Sequence, residues 1–177
     1  MEKEIIKKIK QEFGYKNDLA APRLNKIVVN TGVGRLSQQP NFEEKILPEI
    51  IKELSLITGQ KPSASVAKKS IAGFKTRIGQ IIGLKTTLRR RKMYDFLERL
   101  IKITLPRVKD FRGINLKNVD NGGNLTIGLK DQSAFSEINQ ELSKVDFGLE
   151  ITIVSNTKKR EEAIGLYRLL GIPLKRD

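Results

Sequence analysis

The segments of this chain that have the composition of β-strands alternate aliphatic with polar residues, which restricts the possible folds because each strand can bury only one face. In residues 81–89, Leu84 and Leu88 point to one side of the strand. Lys85 and Thr87 point to the other side. The same alternation predicts five strands, over residues 24–31, 63–68, 81–89, 124–131 and 149–156.

Helical periodicity occurs between these strands. Aliphatic residues at three-to-four spacing predict helices over residues 2–13, 41–57, 92–104 and 159–171, with a shorter one over 136–144. The helices supply enough apolar surface to cover one side of a sheet. We therefore predict an α+β fold, an open-faced and mostly antiparallel sheet with helices packed on one side and a polar front.

The segment between the second and third strands contains glycines at Gly73 and Gly79 and has no clear period. It predicts a long basic hairpin whose loop, residues 69–80, is extended and mobile. The composition and the absence of repeats predict a single domain over residues 1–177, which begins with the 2–13 helix.

The positive charge of the chain is concentrated around this hairpin. Residues 54–94 contain ten of the 34 Lys and Arg residues and none of the 20 Asp and Glu residues. The rest of the chain therefore has 24 basic and 20 acidic residues. Uncompensated positive charge of this extent favours an extended polyanion, and nucleic acid is the ordinary one.

Two absent residue types restrict the chemistry. The sequence contains no cysteine and no histidine. Disulfides, thiolate metal sites, cysteine nucleophiles and histidine-dependent catalysis are thereby excluded, which removes most catalytic templates, and we expect no metal and no cofactor. No segment has the length and apolarity of a signal peptide core or a membrane span, which agrees with a cytoplasmic protein.

The few aromatic residues distinguish between kinds of RNA binding. Single-strand binders stack bases on aromatic side chains, but only Phe74 lies within the basic loop. The polar front therefore favours the backbone and 2′-hydroxyls of a folded RNA. Phe74 either stacks on a sugar or base or anchors the loop. Gly32 and Gly34 after the first strand resemble a dinucleotide-binding turn only weakly, because the third glycine is missing.

Three other functions remain as alternatives: a nonspecific RNA chaperone, an RNA-modifying enzyme and a membrane-surface protein. An RNA chaperone would bind any RNA with similar affinity. A modifying enzyme needs a cofactor pocket or a catalytic base, and neither is visible in the sequence. A membrane-surface protein needs apolar residues beside the charges on one helical face, whereas most of the basic segment is strand and loop.

Several long sequence strings resemble one known family in order along nearly the whole chain. They are NKIVVNTGVG (25–34), LITGQKPSASVAKKSIAGFKTRIGQIIGLKTTLR (56–89), MYDFLERLI (93–101), LPRVKDFRGI (105–114), GNLTIGLKD (123–131) and EEAIGLYRLLGIP (161–173). Through these strings the chain resembles the bacterial ribosomal protein L5 family of the large subunit.

The resemblance implies a structural protein without enzyme activity that binds 5S rRNA and helps attach it in the central protuberance of the large ribosomal subunit. Its implied partners are 5S rRNA, large-subunit rRNA and the neighbouring 5S-associated ribosomal proteins, with no membrane. The residues that would contact 5S rRNA are Asn25, Lys26, Asn30, Lys61, Ser63, Ser65, Lys68, Lys85, Thr87 and Arg89.

Two further contacts are implied by the resemblance alone. The loop after the second strand would reach the P-site tRNA, through Ser70, Gly73, Phe74, Lys75, Arg77 and Gly79. An intersubunit bridge to small-subunit head protein thirteen would use the irregular loop of residues 108–115, through Lys109, Phe111 and Arg112, or the region around residues 133–143.

Overall fold

An open five-stranded sheet with three α-helices forms the fold in the computed structural model, which describes residues 9, 13–15, 17, 19–139, 141 and 143–175. The strands are β1 (Leu24–Gly32), β2 (Ser63–Val66), β3 (Ile81–Leu88), β4 (Leu125–Leu129) and β5 (Leu149–Ser155). Their order in the sheet is β2-β3-β1-β5-β4. The predicted α+β class and the open antiparallel sheet are confirmed.

The helices are α1 (Leu47–Thr58), α2 (Arg90–Arg99) and α3 (Arg160–Leu169). A π-helical turn, Phe42–Ile46, precedes α1. Another, Leu100–Thr104, follows α2 and leads into a last turn, Leu105–Arg107. Pro48 comes just after the first of these turns, and because proline has no N–H it cannot donate to a carbonyl of the turn before it.

Burial alternates along the strands as the sequence predicts. In β3, Leu84, Thr86 and Leu88 are buried, whereas Lys85 is exposed and Thr87 half-buried. In β5, every second residue from Leu149 to Ser155 is buried. Each of these strands therefore buries one face only, and the opposite face remains available for contacts.

The contacts within the chain group it into two compact units. The first, here called the terminal unit, consists of residues 1–27, 89–127 and 152–177. The second, here called the hairpin unit, consists of residues 28–88 and 128–151. Within the described residues, no helix has the length and apolarity needed to cross a membrane.

A buried tyrosine fixes the terminal unit. The Tyr167 hydroxyl donates to the Gly123 carbonyl at 2.7 Å and lies 3.1 Å from the Ile153 carbonyl. The Ser155 hydroxyl also donates to Gly123, at 2.9 Å. Gly123 has φ of 76°, and a Cβ there would come within 3.1 Å of Ala163, so a larger residue is excluded. These contacts join α3 to β5 and to the turn before β4.

Gln132 has a similar role in the hairpin unit. Its buried side chain donates to the Val145 carbonyl at 2.7 Å and accepts from the Phe147 N–H at 3.0 Å. The segment between β4 and β5 therefore folds around an amide. The predicted helix over 136–144 is wrong for the described residues, which form turns there. The predicted 2–13 helix lies outside the described residues except for Ile9 and Phe13, which are both helical.

Candidate nucleic-acid interface

The hairpin of β2 and β3 presents one continuous polar surface. The strands pair antiparallel, with Ser63 opposite Lys85 and Ser65 opposite Gly83. Directly opposite residues project to the same face, and Thr87 follows Lys85 by two positions, so it shares that face. The Ser63 hydroxyl donates to the Lys85 carbonyl at 3.3 Å. Four predicted 5S rRNA contacts, Ser63, Ser65, Lys85 and Thr87, are thus brought together.

Asn30 of β1 is oriented by a residue that the sequence analysis did not identify. Its side-chain Nδ2 donates to Glu150 Oε2 at 3.2 Å. The period-2 alternation of β5 is the signal that points to Glu150, because it places this residue on the exposed face. With its NH₂ held by Glu150, the amide has its oxygen left as an acceptor for a partner's hydroxyl.

Gly83 brings β1 and β3 close together beside this amide. A Cβ at position 83 would lie 3.2 Å from the Thr31 carbonyl oxygen. Such a contact is tighter than most side chains allow, so glycine permits the observed packing.

The two other predicted lysines of this unit flank β2. Lys61 precedes the strand and Lys68 follows it, and both are exposed. Neither side chain is held by a carboxylate within the described part of the chain. Each is therefore available to a phosphate.

The loop between β2 and β3 is folded on itself. Ile71 and Thr76 exchange two backbone hydrogen bonds, of 3.1 and 3.2 Å, around the short turn Ala72–Phe74. The Ser70 hydroxyl accepts from the Ile78 N–H at 3.0 Å. Lys75 has a φ of 51° and Gly79 a φ of 84°, both left-handed.

The loop exposes large apolar side chains among its cations. Phe74 and Ile78 are each 70% exposed. The Gln38 side chain donates to the Phe74 carbonyl at 3.1 Å, so this contact holds the backbone of Phe74 and not its ring. Lys75 and Arg77 are exposed or partly exposed beside these residues. The exposed ring shows that Phe74 does not anchor the loop to the core.

A groove of about 1010 Å³ lies between this loop and the turn after β1. Its lining includes Arg35, Lys68, Lys69 and Lys75, and no described residue of the lining is acidic. The groove therefore has a cationic wall of the kind that phosphates occupy.

The three remaining predicted 5S rRNA contacts belong to the terminal unit. Arg89 Nη1 donates to Asn25 Oδ1 at 3.4 Å. Lys26 is partly exposed on the face of β1 opposite Ile27. Arg89 is followed by Arg90 and Arg91, both exposed, which the sequence analysis did not single out as contacts.

The predicted bridge residues lie on the irregular segment after α2. Lys109 and Arg112 are exposed, and Phe111 is half-buried. This segment is fixed at its end by the C-terminal residues. The Ile114 N–H donates to the Pro173 carbonyl at 2.8 Å, and the Lys175 N–H donates to the Ile114 carbonyl at 2.9 Å.

Among the described residues, several titratable side chains have pKa values displaced by burial or by hydrogen bonds within the fold. Burial raises the pKa of Tyr167. A hydrogen bond from the Asn124 side chain lowers the pKa of Asp120. Burial acts to raise the pKa of Glu162, but hydrogen bonds from Tyr15, Thr157 and Lys159 outweigh it and lower that pKa overall. No group of three His, Cys, Asp or Glu side chains in this part of the chain is arranged to hold a metal ion.

Two family profiles match the chain in succession. The profile described as "Ribosomal protein L5" matches residues 17–77. A second profile, which describes the C-terminus of the same ribosomal protein family, matches residues 81–174. Together they cover most of the described chain.

Curated relatives match over nearly the full length. The large ribosomal subunit protein uL5 of Desulfatibacillum aliphaticivorans is 48% identical over 172 residues, which cover 97% of this chain and 94% of the relative. The protein of the same name from Heliobacterium modesticaldum is 50% identical over 169 residues, which cover 94% and 91% of the two chains. That from Halothermothrix orenii is 46% identical, with 96% and 93% covered.

Proposed function

The chain belongs to the ribosomal protein L5 family, and from this premise we propose that it binds 5S rRNA and helps attach it in the central protuberance. Membership of the family makes it a structural constituent of the large ribosomal subunit and not an enzyme. It therefore acts in the cytoplasmic ribosome, among rRNA and other ribosomal proteins.

The polar surface of the β2–β3 hairpin is the observation that carries the proposal. A lysine and three small hydroxyl side chains lie together there, Lys85 with Ser63, Ser65 and Thr87. Lysine suits a phosphate as a point charge, and small hydroxyls suit phosphate oxygens and 2′-hydroxyls. None of the five strands contains an aromatic residue, so the sheet is built for an RNA backbone rather than for stacked bases.

Binding to 5S rRNA in a salt titration, with tRNA and a homopolymer as competitors, tests this proposal. We expect a preference for 5S rRNA that persists at physiological salt. Lys85→Ala and Arg89→Ala together should reduce the salt slope by up to about two units, because each lost phosphate contact removes about 0.7–0.9. Lys52→Ala, an exposed lysine on α1, is the matched control. Equal binding of all three RNAs would instead favour a nonspecific RNA chaperone.

We further propose that the loop of residues 70–80 contacts the P-site tRNA. The exposed Phe74 ring supplies a stacking surface, and Lys75 and Arg77 supply charge beside it. Ser70, Gly73 and Gly79 shape the turns that hold them. Each of these features suits a contact with RNA that leaves the sheet free for 5S rRNA.

Removing residues 73–79 separates the two RNA contacts. The 5S rRNA affinity of the shortened protein should stay within about twofold, since the hairpin strands are retained. In reconstituted ribosomes, chemical protection of the P-site tRNA should weaken. Loss of 5S rRNA binding would show that the loop is wrongly assigned.

The third contact that we propose is the bridge to small-subunit head protein thirteen through Lys109, Phe111 and Arg112. The exposed Lys109 and Arg112 provide charge at a segment fixed by Pro173 and Lys175. Lys109→Ala with Arg112→Ala should weaken subunit association in sucrose gradients. Lys117→Ala removes an exposed lysine nearby and should not. Unchanged association of the double variant would exclude this segment.

A further inference from the structure

A second concave surface, of about 870 Å³, lies in the terminal unit. It is lined by four arginines and two asparagines, here called the arginine pocket: Arg23, Arg89, Arg90, Arg91, Asn25 and Asn156. We propose that the arginine pocket binds the phosphodiester backbone of RNA, through Arg23 and Arg90 in addition to the contacts already proposed for Asn25 and Arg89. This inference deepens the proposed function and rests on it, because the RNA would be the one that the sheet binds.

The charge of the arginine pocket is almost uncompensated. Among the described residues, its lining contains no acidic one. Within the described residues, Arg23 and Arg90 have no carboxylate at salt-bridge distance. Arg91 Nε lies 3.7 Å from Asp95, but the Arg91 side chain is 94% exposed, so water screens this pair. Arginines that line one concavity are like charges that repel one another, and a bound polyanion removes that repulsion.

The arginines come from two distant segments that the fold holds in place. The Asn156 side chain accepts from the Arg23 N–H at 2.8 Å, and the Asn156 N–H donates to the Arg23 carbonyl at 3.0 Å. This two-way contact fixes the backbone before β1. Asn25 accepts from Arg89 at the end of β3. Tertiary contacts therefore bring these arginines together. A run of charges that are merely adjacent in the sequence would need no such contacts.

The position of Arg90 costs folding stability. Its φ is 53°, a left-handed conformation that arginine rarely adopts. Arg90 and Arg91 also occupy the first turn of α2, where no acidic residue and no side-chain cap is present. Cations are disfavoured at that end of a helix. Within the described part of the chain no internal contact compensates this local conflict, which indicates a residue retained for binding.

Guanidinium chemistry and the size of the pocket indicate the ligand. Arginine forms two parallel hydrogen bonds with phosphate oxygens, and asparagine adds a neutral donor. A concavity of about 870 Å³ is far larger than one inorganic phosphate, whereas a run of RNA backbone fills it.

Two variants that leave the fold intact test the proposal against 5S rRNA. Arg23→Gln removes a guanidinium but keeps the backbone bonds to Asn156. Arg90→Gly removes another and places the residue best suited to φ of 53° at that position. Each should reduce the slope of log affinity against log salt concentration by about 0.7–0.9. Relative to the wild-type protein, each variant should therefore lose about sixfold more affinity at 0.1 M salt than at 1 M salt. Arg90→Gly should at the same time raise the urea midpoint.

The control is Lys52→Gln, which removes the same charge from an exposed site on α1 and should leave the slope unchanged. If the wild-type protein shows no preference for 5S rRNA, the proposed function fails. If the wild-type protein has that preference and both arginine variants keep its slope, the arginine pocket is not an RNA site. If Lys52→Gln reduced the salt slope as much as the arginine variants do, the proposal would also be overturned, because the effect would then depend only on net charge.

Discussion

Thr86 and Thr87 are consecutive residues of β3 whose side chains lie on opposite faces of the strand. Thr86 is 2% exposed, and its hydroxyl has no hydrogen-bond partner among the residues that the structure describes. Thr87 is half-buried on the polar face, where we propose RNA contact. Replacing each by valine changes the same atoms on the two faces, so the pair tests which face serves folding and which serves binding.

The expected gain from Thr86→Val follows from its surroundings. A buried hydroxyl without a partner costs about 1–3 kcal/mol of the free energy of unfolding. The replacing methyl group has nearly the same shape and adds about 0.8 kcal/mol when buried. Taking the low end for imperfect fit, we expect a gain of about 1 kcal/mol. That is a factor of about five in the folding equilibrium and roughly 2–4 °C in Tm for a chain of this size.

Urea unfolding and 5S rRNA binding are measured for both variants. Thr86→Val should raise the urea midpoint at constant slope and leave RNA affinity unchanged. Thr87→Val should leave the free energy of unfolding within about 0.5 kcal/mol and weaken RNA binding, because it loses a hydroxyl on the polar face. A less stable Thr86→Val protein would show that its hydroxyl is satisfied. Weaker RNA binding by Thr86→Val alone would mean that the faces are inverted.

Three other substitutions test contacts that lie within one unit or within the other. Tyr167→Phe should lower the free energy of unfolding by about 1–2 kcal/mol in urea, since its hydroxyl contacts two buried carbonyls. Gln132→Leu should cost about 2 kcal/mol or more in the same assay, because two backbone groups of 143–147 lose their partner. Glu162 has a lowered pKa, so its contribution is present above about pH 4.5 and disappears as the pH falls through that lowered pKa. Glu162→Gln should therefore be less stable than wild type near neutral pH, and the difference should shrink in acid melts.

The strands were predictable because their signal is local. The period-2 pattern of β3 depends only on neighbouring residues, and the observed strand, Ile81–Leu88, ends one residue from the prediction. The same pattern predicts the exposure of Lys85 and the burial of Leu84. Any face assignment that follows from such alternation is available from the sequence alone.

Contacts between distant parts of the chain were not predictable. Asn30 and Glu150 are 120 positions apart, and the amide of one is oriented by the carboxylate of the other. The described residues of 136–144 do not form the predicted helix. The buried Gln132 amide binds the Ser143 hydroxyl and, just after this segment, the Val145 carbonyl and the Phe147 N–H, so tertiary contacts override local propensity here. The arginine pocket likewise depends on Asn156 placing Arg23 beside α2.

Within one strand, some residues contribute to folding and others to the proposed RNA binding. Along β3 the buried positions stabilise the protein and the exposed ones are free to bind, so changes on the polar face should alter RNA affinity at nearly constant stability. Arg90 differs, because its left-handed backbone and its place at the start of α2 oppose folding. Stability and affinity should therefore change in opposite directions at Arg90, whereas at Lys85 only affinity should change. A structural role for Arg90 cannot produce that inverse relation.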